Sequence, residues 1–455
     1  MIKEDASGQL AAVRSGAISL SELMEATLDQ IELVNPEVNA IVALRDRETL
    51  LKEAARAPAG PLQGLPMAIK DLAETAGITT TFGSPIFKDF VPEQDCPMVA
   101  RLRKAGAVII GKTNAPEFGL GSHSYNPVYG VTRNPYDTSR SAGGSSGGAG
   151  AALASRMLAL ADGSDMMGSL RNPAGWNNVF GFRPSYGLVA NGGPGDMFLS
   201  QLSTDGPMAR SMRDLELLLG VLSEHDPRHP HSSGPYRPST STGKMRFGWL
   251  SDWGGDYAME PGILDLCESA VQVLEELGHT VQIMSPPFSA EALWESWTLL
   301  RSWAISADRA PLLKHPHDML KPELHWEIER GLAASADDIL KASAIRSDWF
   351  RYTANMEVDI LALPSAQMFP FDAELHWPDK IGEATMDTYH RWMEVVIPAS
   401  LTGLPALSVP AGFGREGMPI GLQLIGHRGQ DGSVLALGRQ YEAATDWVSQ
   451  EPVGL

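Results

Sequence analysis

A run of glycines and serines, Gly143 to Gly148, most constrains how this chain can fold. By composition alone, such a run fits a flexible linker equally well. A linker should be bordered by polar, uncommitted sequence. Instead, the small-residue stretch 149–154 that follows is typical of a helix, and the apolar stretch 157–161 is typical of a buried strand. The run therefore predicts a tight turn that leads into a helix of the core.

A second serine, Ser169, follows Ser145 of this run by 24 residues. A serine hydroxyl is a poor nucleophile at neutral pH and needs a neighbouring base. Glycines in an adjacent turn leave backbone N–H groups free to bind a developing oxyanion. The two serines and their glycines therefore indicate nucleophilic catalysis.

Composition and charge narrow the class of protein. The chain has 455 residues, 43% of them hydrophobic, which is enough for a large core, and its net charge is −19. Nucleic acid and anionic membranes need clustered Lys and Arg, so we expect neither as a partner. Cys96 and Cys267 are too few for a disulfide framework and lack zinc-ligand spacing. The start at Met1 has no apolar signal core, and no stretch approaches the ~20 apolar residues of a membrane span, so we expect a cytoplasmic protein.

Helix and strand patterns alternate along the chain. Ser19 and Glu22 form a capping box before a helical apolar face that stops at Asn35-Pro36. A further helix is predicted over 98–104, and a buried strand over 107–110. This alternation favours an α/β sandwich with a parallel or mixed central sheet.

Lys70 ends another apolar strand, 65–69. A lysine in such a position either extends its amine to water or stays partly desolvated with a lowered pKa. Taken in isolation, Lys70 fits the first outcome better.

These residues resemble the amidase signature family of serine hydrolases. The resemblance rests on the Gly143–Gly148 run, the 24-residue spacing and the string from Ser169 to Pro173. Further matching strings, in the family's order, cover almost the whole chain: Gly64–Asp71, Gly111–Asn114, Thr132–Pro135, Gly181–Pro184, Gly206–Arg210, Gly403–Ala406 and Gly421–Gly426. The resemblance implies a large twisted mixed β-sheet sandwiched between helices.

The resemblance also bears on domain organisation. Length alone suggests about three domains, and Ser232 to Thr242 is the best linker candidate. Because family strings resume beyond this segment, we expect it to be a long surface connection within a single amidase domain, 1–455; a true boundary is the alternative. Within the domain, the family's variable section, which walls the substrate site, corresponds to about 240–370.

The resemblance implies a Ser-Ser-Lys triad. Ser169 is the nucleophile, Ser145 relays its proton, and Lys70, neutral at rest, is the base. The peptide bond before Ser145 is cis in the family. Ser146, Asp165 and Arg171 match supporting positions that brace the triad by hydrogen bonds; a solvated turn or a surface ion pair is the alternative for each.

The oxyanion is expected to bind backbone N–H groups of Met166, Met167, Gly168 and Ser169, next to a helix that starts near Ser169. The family usually has a glycine where this chain has Met167. If that position needs a positive φ, the methionine costs about 1–2 kcal/mol. We favour the alternative, in which φ stays negative and the side chain lies near the acyl pocket.

A tryptophan-rich stretch, 292–332, resembles the family least. Its tryptophans, Trp294, Trp297, Trp303 and Trp326, fit either the core or a wall of the substrate site, to which Trp377 and Trp392 could add. Histidine clusters at 225–231 and 315–317 are interrupted by prolines, so we expect no metal site. No cofactor is expected.

The resulting hypothesis is an enzyme, an amidase that hydrolyses the C–N bond of a small hydrophobic or aryl carboxamide through an acyl-enzyme. An esterase with the same triad, a glutaminase-type subunit of an amidotransferase complex and a catalytically weak binding protein remain open. The expected partner is a small-molecule amide. A homodimer is compatible with the sequence, which does not define the oligomeric state.

Overall fold

A computed structural model describes residues 2–190, 196–239 and 243–452. Its helices are α1 (Ala6–Arg14), α2 (Leu20–Val38), α3 (Arg47–Ala54), α4 (Pro97–Lys104), α5 (Gly147–Ala154), α6 (Arg171–Trp176), α7 (Met212–Leu222), α8 (Ile263–Glu276), α9 (Ala290–Arg309), α10 (Pro322–Ala333), α11 (Ala336–Asn355), α12 (Ile397–Thr402) and α13 (Asp431–Ala444). Its strands are β1 (Ile41–Val42), β2 (Pro66–Lys70), β3 (Val108–Thr113), β4 (Tyr125–Asn126), β5 (Gly130–Val131), β6 (Arg133–Asn134), β7 (Asp137–Ser141), β8 (Leu160–Asp165), β9 (Phe180–Arg183), β10 (Thr204–Ala209), β11 (Arg246–Trp249), β12 (Thr280–Ile283), β13 (Ile360–Pro364), β14 (Lys380–Ile381), β15 (Ala384–Thr385), β16 (Ala406–Phe413) and β17 (Pro419–Gly426).

An eight-stranded mixed sheet organises the fold, in the order β12-β11-β13-β17-β16-β9-β10-β8. Strand β11 pairs in parallel with β12 and β13, and the remaining neighbours are antiparallel. A smaller sheet, β1-β3-β2, places Lys70 at the end of β2. The α/β class with a large mixed sheet and covering helices is therefore confirmed.

The N-terminal helix α2 shows where local patterns succeed and fail. Its capping box is present, since Ser19 accepts a hydrogen bond from the Glu22 N–H and the Glu22 carboxylate accepts one from the Ser19 N–H. The predicted stop at Asn35-Pro36 is wrong, because α2 continues to Val38. Pro36 removes only the hydrogen bond to the carbonyl of Glu32, and both residues are exposed, so water can replace it.

Other local predictions hold with one shift. Helix α4 and strand β3 form where they were expected. The strand predicted over 157–161 begins only at Leu160, whose ladder partner is Ala209. Just before it, the Leu158 carbonyl accepts a hydrogen bond from the Arg210 guanidinium at 2.6 Å. At Leu158, the Arg210 side chain thus makes the hydrogen bond that a neighbouring strand would otherwise make.

Helix α5 confirms that the glycine run leads into a core helix, not a linker. All of its residues are buried. A Cβ added at Gly148 would lie 2.4 Å from the backbone nitrogen of Asn114, and one at Gly150 would lie 2.9 Å from the carbonyl oxygen of Pro173. The helix therefore packs backbone against backbone, and it begins directly after Ser146.

The segment considered as a linker, Ser232 to Thr242, is partly described. Residues 232–239 form neither helix nor strand, and Tyr236 within them is buried. Residues 240–242 lie outside the described residues. Across the described ranges, the helices are all too short or too polar to traverse a lipid bilayer.

Candidate active site

The amine of Lys70 lies at the centre of a cluster of hydroxyl groups. Its Nζ is 2.8 Å from the Oγ atoms of both Ser145 and Ser146 and 3.0 Å from the Oγ of Ser164. Lys70 is only 1% exposed. Among the described residues, the hydrogen-bond partners of its amine are hydroxyl and carbonyl oxygens, so no carboxylate forms an ion pair with it. The backbone N–H of Lys70 donates to the carboxylate of Asp162 at 3.2 Å. Burial lowers the pKa of Lys70 from 10.5 to about 7, although nearby carboxylates, Asp162 foremost, raise it.

The turn that carries Ser145 is held by side chains around it. The Gly144–Ser145 peptide bond is cis. The N–H of Gly144 donates to Oδ1 of Asn172 at 3.0 Å, and the N–H of Gly147 donates to Oγ of Ser124 at 3.0 Å. The turn is therefore anchored on both sides of Ser145.

Ser169 lies in a second turn, after β8, and is 6% exposed. Its carbonyl oxygen accepts a hydrogen bond from the N–H of Ser146 at 3.3 Å, which joins the two turns. Its hydroxyl makes no hydrogen bond to any part of the chain that the structure describes. The structure thus brings the Ser145 and Ser169 segments together through their backbones.

A buried carboxylate, Asp165, shapes the Ser169 turn. It accepts hydrogen bonds from the N–H of Gly168 at 2.9 Å and from the guanidinium groups of Arg171 and Arg183, each at 3.0 Å. All three charged side chains are fully buried. Burial by itself raises the pKa of Asp165, but the charges of Arg171 and Arg183 outweigh it and hold that pKa well below its usual range.

The backbone of this turn shows which residue has the positive φ that was considered for Met167. The positive φ, +76°, belongs to Gly168, and Met167 is not among the non-glycine residues with positive φ. The Gly168 N–H is already bound to Asp165. The N–H groups of Met166, Met167 and Ser169 donate to none of the described residues. The four expected oxyanion donors are thereby reduced to three.

Aromatic and charged side chains line a narrow cavity beside this site. Its walls include Tyr389, Trp377 and Trp392, together with Lys321 and Glu323. The cavity also reaches the 122–123 backbone, which packs directly against Gly144. Trp377 and Trp392 thus border a cavity near the Ser145 turn, and Trp392 is fully buried.

Two tryptophans of the 292–332 stretch, Trp294 and Trp297, do not line this cavity. Trp297 is fully buried in the hydrophobic core, and Trp294 is buried beneath the guanidinium of Arg391, which lies 4.5 Å from the ring centre of Trp294.

No group of His, Cys, Asp and Glu side chains in the described ranges is arranged to hold a metal ion.

Some residues of the site were not singled out from the sequence. Ser164 contacts Lys70, Arg183 binds Asp165, and Gln423 accepts a hydrogen bond from Arg171 at 2.6 Å. Arg183 and Gln423 lie in strings that resemble the family, so their positions were visible but their partners were not. Such contacts join residues far apart in sequence and require the fold.

Comparison with known proteins identifies the family of the chain. The Amidase family model matches residues 22–435. The chain is 35% identical to the A subunit of the glutamyl-tRNA(Gln) amidotransferase of Thermosynechococcus vestitus, over 95% of this chain and 96% of that one. A solved bacterial aryl acylamidase of the amidase signature family superimposes with a TM-score of 0.92, at 27% identity and 99% coverage of both chains. A 6-aminohexanoate cyclic dimer hydrolase in complex with its substrate gives a TM-score of 0.88, at 28% identity and 99% coverage of both. The chain therefore belongs to the amidase family, as an amidase signature hydrolase that acts on C–N amide bonds.

Proposed function

We propose that this protein hydrolyses the C–N bond of a small carboxamide with Ser169 as nucleophile, Ser145 as proton relay and Lys70 as base. The observation that carries the proposal is the 2.8 Å contact between the buried Lys70 amine and the Ser145 hydroxyl. With a pKa near 7, a substantial fraction of Lys70 is neutral at neutral pH and can accept a proton.

The proposed reaction proceeds in two stages. As Ser169 Oγ attacks the amide carbon, its proton passes to Ser145 and the Ser145 proton passes to Lys70. The oxyanion of the tetrahedral intermediate accepts hydrogen bonds from the free N–H groups of Met166, Met167 and Ser169. The C–N bond then breaks, and the departing amine takes a proton back through Ser145.

Deacylation repeats these transfers with water in place of Ser169 as the attacking group. Water loses a proton through Ser145 to Lys70 while its oxygen bonds to the acyl carbon. The ester bond to Ser169 then breaks and its Oγ regains the proton. The products are a carboxylic acid and a free enzyme.

The supporting roles follow from the hydrogen bonds. Ser146 holds the Lys70 amine beside Ser145. Asp165 and Arg171 hold the Ser169 turn, since Asp165 binds the Gly168 N–H and Arg171 binds Asp165. These residues act on the geometry of the triad and not on the substrate.

The likeness to an aryl acylamidase suggests a substrate with a hydrophobic or aryl acyl or amine group. The aromatic side chains Tyr389, Trp377 and Trp392 lie beside the site, but the cavity among them is only about 10 Å³ and Trp392 is fully buried, so the proposal for the substrate rests on the relative. We place this activity in a single domain, 1–455, in the cytoplasm, with the oligomeric state, homodimer included, open.

A second candidate function is that of a glutaminase-type component of an amidotransferase. The 35% identity to the amidotransferase relative over almost the whole chain favours it. In that case glutamine is the amide and the protein works in a complex with partner subunits. An esterase with the same triad differs only in the leaving group.

The test replaces Ser169 with alanine. A fluorophosphonate probe should label the parent protein and fail to label Ser169→Ala, because the nucleophilic oxygen is gone. Ser155→Ala is the matched control, since Ser155 is also a buried serine but its hydroxyl bonds only to the Ala151 carbonyl at the end of α5. Full labelling and turnover by Ser169→Ala would exclude the proposal.

A substrate panel then separates the candidate functions. Aliphatic amides, aryl amides, matched esters and glutamine are compared by amine, alcohol or ammonia release. We expect aryl amides to have the highest kcat/KM. Glutamine turnover together with co-purifying partner proteins would establish the second candidate instead.

A further inference from the structure

A separate cavity of about 430 Å³ opens on the surface beside helices α11 and α12. Its described lining includes Arg346, Arg428, Thr402, Phe198 and Phe350. None of the residues assigned to the catalytic machinery contributes to it. Its lining therefore suggests a binding function that is separate from amide hydrolysis.

Two arginines of this cavity have no counter-charge. Neither Arg346 nor Arg428 forms an ion pair or a conventional hydrogen bond with any described residue. Burial, and then the like charge of Arg428, lower the pKa of Arg346. Arg428 is exposed, and its guanidinium lies 5.9 Å from the Tyr186 ring centre and 6.0 Å from that of Phe350. Two like charges thus face one cavity in a protein whose net charge is −19.

A second cavity shows how the chain treats arginines elsewhere. It has a volume of about 460 Å³ and is lined by Arg56, Arg103, Lys52 and Glu53 among others. Arg103 pairs with Asp95 at 2.9 Å, and Lys52 pairs with Glu48 at 2.6 Å. Arg56, a further cation of that cavity, has no carboxylate partner among the described residues, and it therefore provides a matched control for Arg346 and Arg428.

We propose that the cavity at Arg346 and Arg428 binds a small organic carboxylate with an aryl or alkyl body. The carboxylate accepts hydrogen bonds from the two guanidinium groups. The apolar body packs on the neighbouring side chains Phe198, Leu199 and Phe350, which are 63%, 61% and 37% exposed. The acid product of an amide hydrolase has this chemistry, and so do unrelated aryl acids. The binding site stands independently of the catalytic triad.

Isothermal titration of the full-length protein with benzoate tests the proposal, with benzyl alcohol as the neutral analogue and inorganic phosphate as a plain anion. We expect benzoate to bind in the millimolar range or tighter and benzyl alcohol not to bind. Arg346→Gln and Arg428→Gln should each weaken benzoate binding at least tenfold. Arg346→Lys, which keeps the charge, should lose less.

Two controls separate this site from the others. Arg56→Gln, which changes an arginine of the second cavity, should leave benzoate binding unchanged. Ser169→Ala should also leave it unchanged, so the result does not depend on the proposed catalytic function. Absence of benzoate binding, binding that survives both Arg346→Gln and Arg428→Gln, or binding of phosphate alone would overturn the proposal.

Discussion

Two buried lysines on neighbouring strands, Lys70 and Lys112, have different surroundings. They lie on β2 and β3, where Ile69 pairs with Lys112 and Lys70 with Thr113, and they are 1% and 0% exposed. Burial lowers both pKa values, to about 7 for Lys70 and about 8 for Lys112. A lowered pKa therefore does not by itself distinguish a catalytic base from a structural lysine.

The atoms around the two amines do distinguish them. Lys70 contacts serine hydroxyls, and Ser145 among them belongs to a turn joined to Ser169. Lys112 instead donates to the Ala73 carbonyl at 2.5 Å and to the Thr75 hydroxyl at 2.9 Å, with the charges of Asp71 and Asp162 nearby. Lys112 thus connects β3 to the chain that follows β2, and it has no path to a nucleophile.

The largest expected effect comes from Lys70→Met, which keeps an unbranched side chain but removes the amine. We expect kcat/KM to fall on the order of 10³-fold or more, because triad members act together. Steady-state rates and fluorophosphonate labelling measure the loss, and circular dichroism checks the fold. A decrease of less than tenfold would remove the distinction between the two lysines.

Ser145→Ala should cost a similar factor, because it breaks the proton path between Ser169 and Lys70. In the Lys70→Met/Ser145→Ala double variant, the loss should be close to that of either single variant, since a relay fails once any member is missing. Single-turnover acylation rates measure this coupling. Losses that multiply would show two independent contributions.

The pH dependence gives the next largest effect. Neutral Lys70 is the active form, so kcat/KM should fall about tenfold per pH unit as the pH drops below about 7. Lys112 also has a lowered pKa but should not contribute to this profile. If the pH profile of kcat/KM has the same midpoint in Lys112→Met as in the parent, Lys70 alone sets that midpoint. A displaced midpoint would mean that the two amines titrate together.

Lys112→Met should have the smallest effect on rate. It removes the cation beside Asp71 and one of the two cations, Lys70 and Lys112, beside Asp162, so we expect a loss of about 1–3 kcal/mol in the free energy of unfolding. The turnover of the folded fraction should change little. Urea unfolding and active-site titration separate the two quantities. A large loss of turnover at full folding would assign Lys112 to the catalytic machinery.

The sequence singled out the candidate site residues but not most of their hydrogen-bond partners. The serines, Lys70 and the Met167 question were visible because they lie in compact strings, and the negative φ expected at Met167 agrees with the structure. The loss of the Gly168 N–H to Asp165 could not be anticipated, because it depends on how a carboxylate folds back onto its own turn. The same holds for Arg346 and Arg428, which lie about 80 residues apart in the sequence and become neighbours only in the fold.

The secondary-structure predictions differ in the same way, because local patterns were read correctly and contacts made by the fold or by solvent were not. Periodicity and capping located α2 and α4, but the end of α2 was misjudged, because a proline near an exposed helix end costs little when water can solvate the freed carbonyl. The start of β8 was misjudged because Arg210, more than 40 residues away, binds the backbone before it. Both errors arise where tertiary contacts or solvent replace a local hydrogen bond.

Helix α5 has a consequence for engineering this protein. Because the backbone of Asn114 and the carbonyl of Pro173 occupy the space that side chains at Gly148 and Gly150 would need, even alanine at these positions must push main chain aside. Libraries directed at Gly148 and Gly150 would yield mostly unfolded protein. Selection for new substrates is better aimed at Trp377, a partly exposed side chain of the cavity, than at Tyr389, whose buried hydroxyl bonds to Arg301 and Glu327.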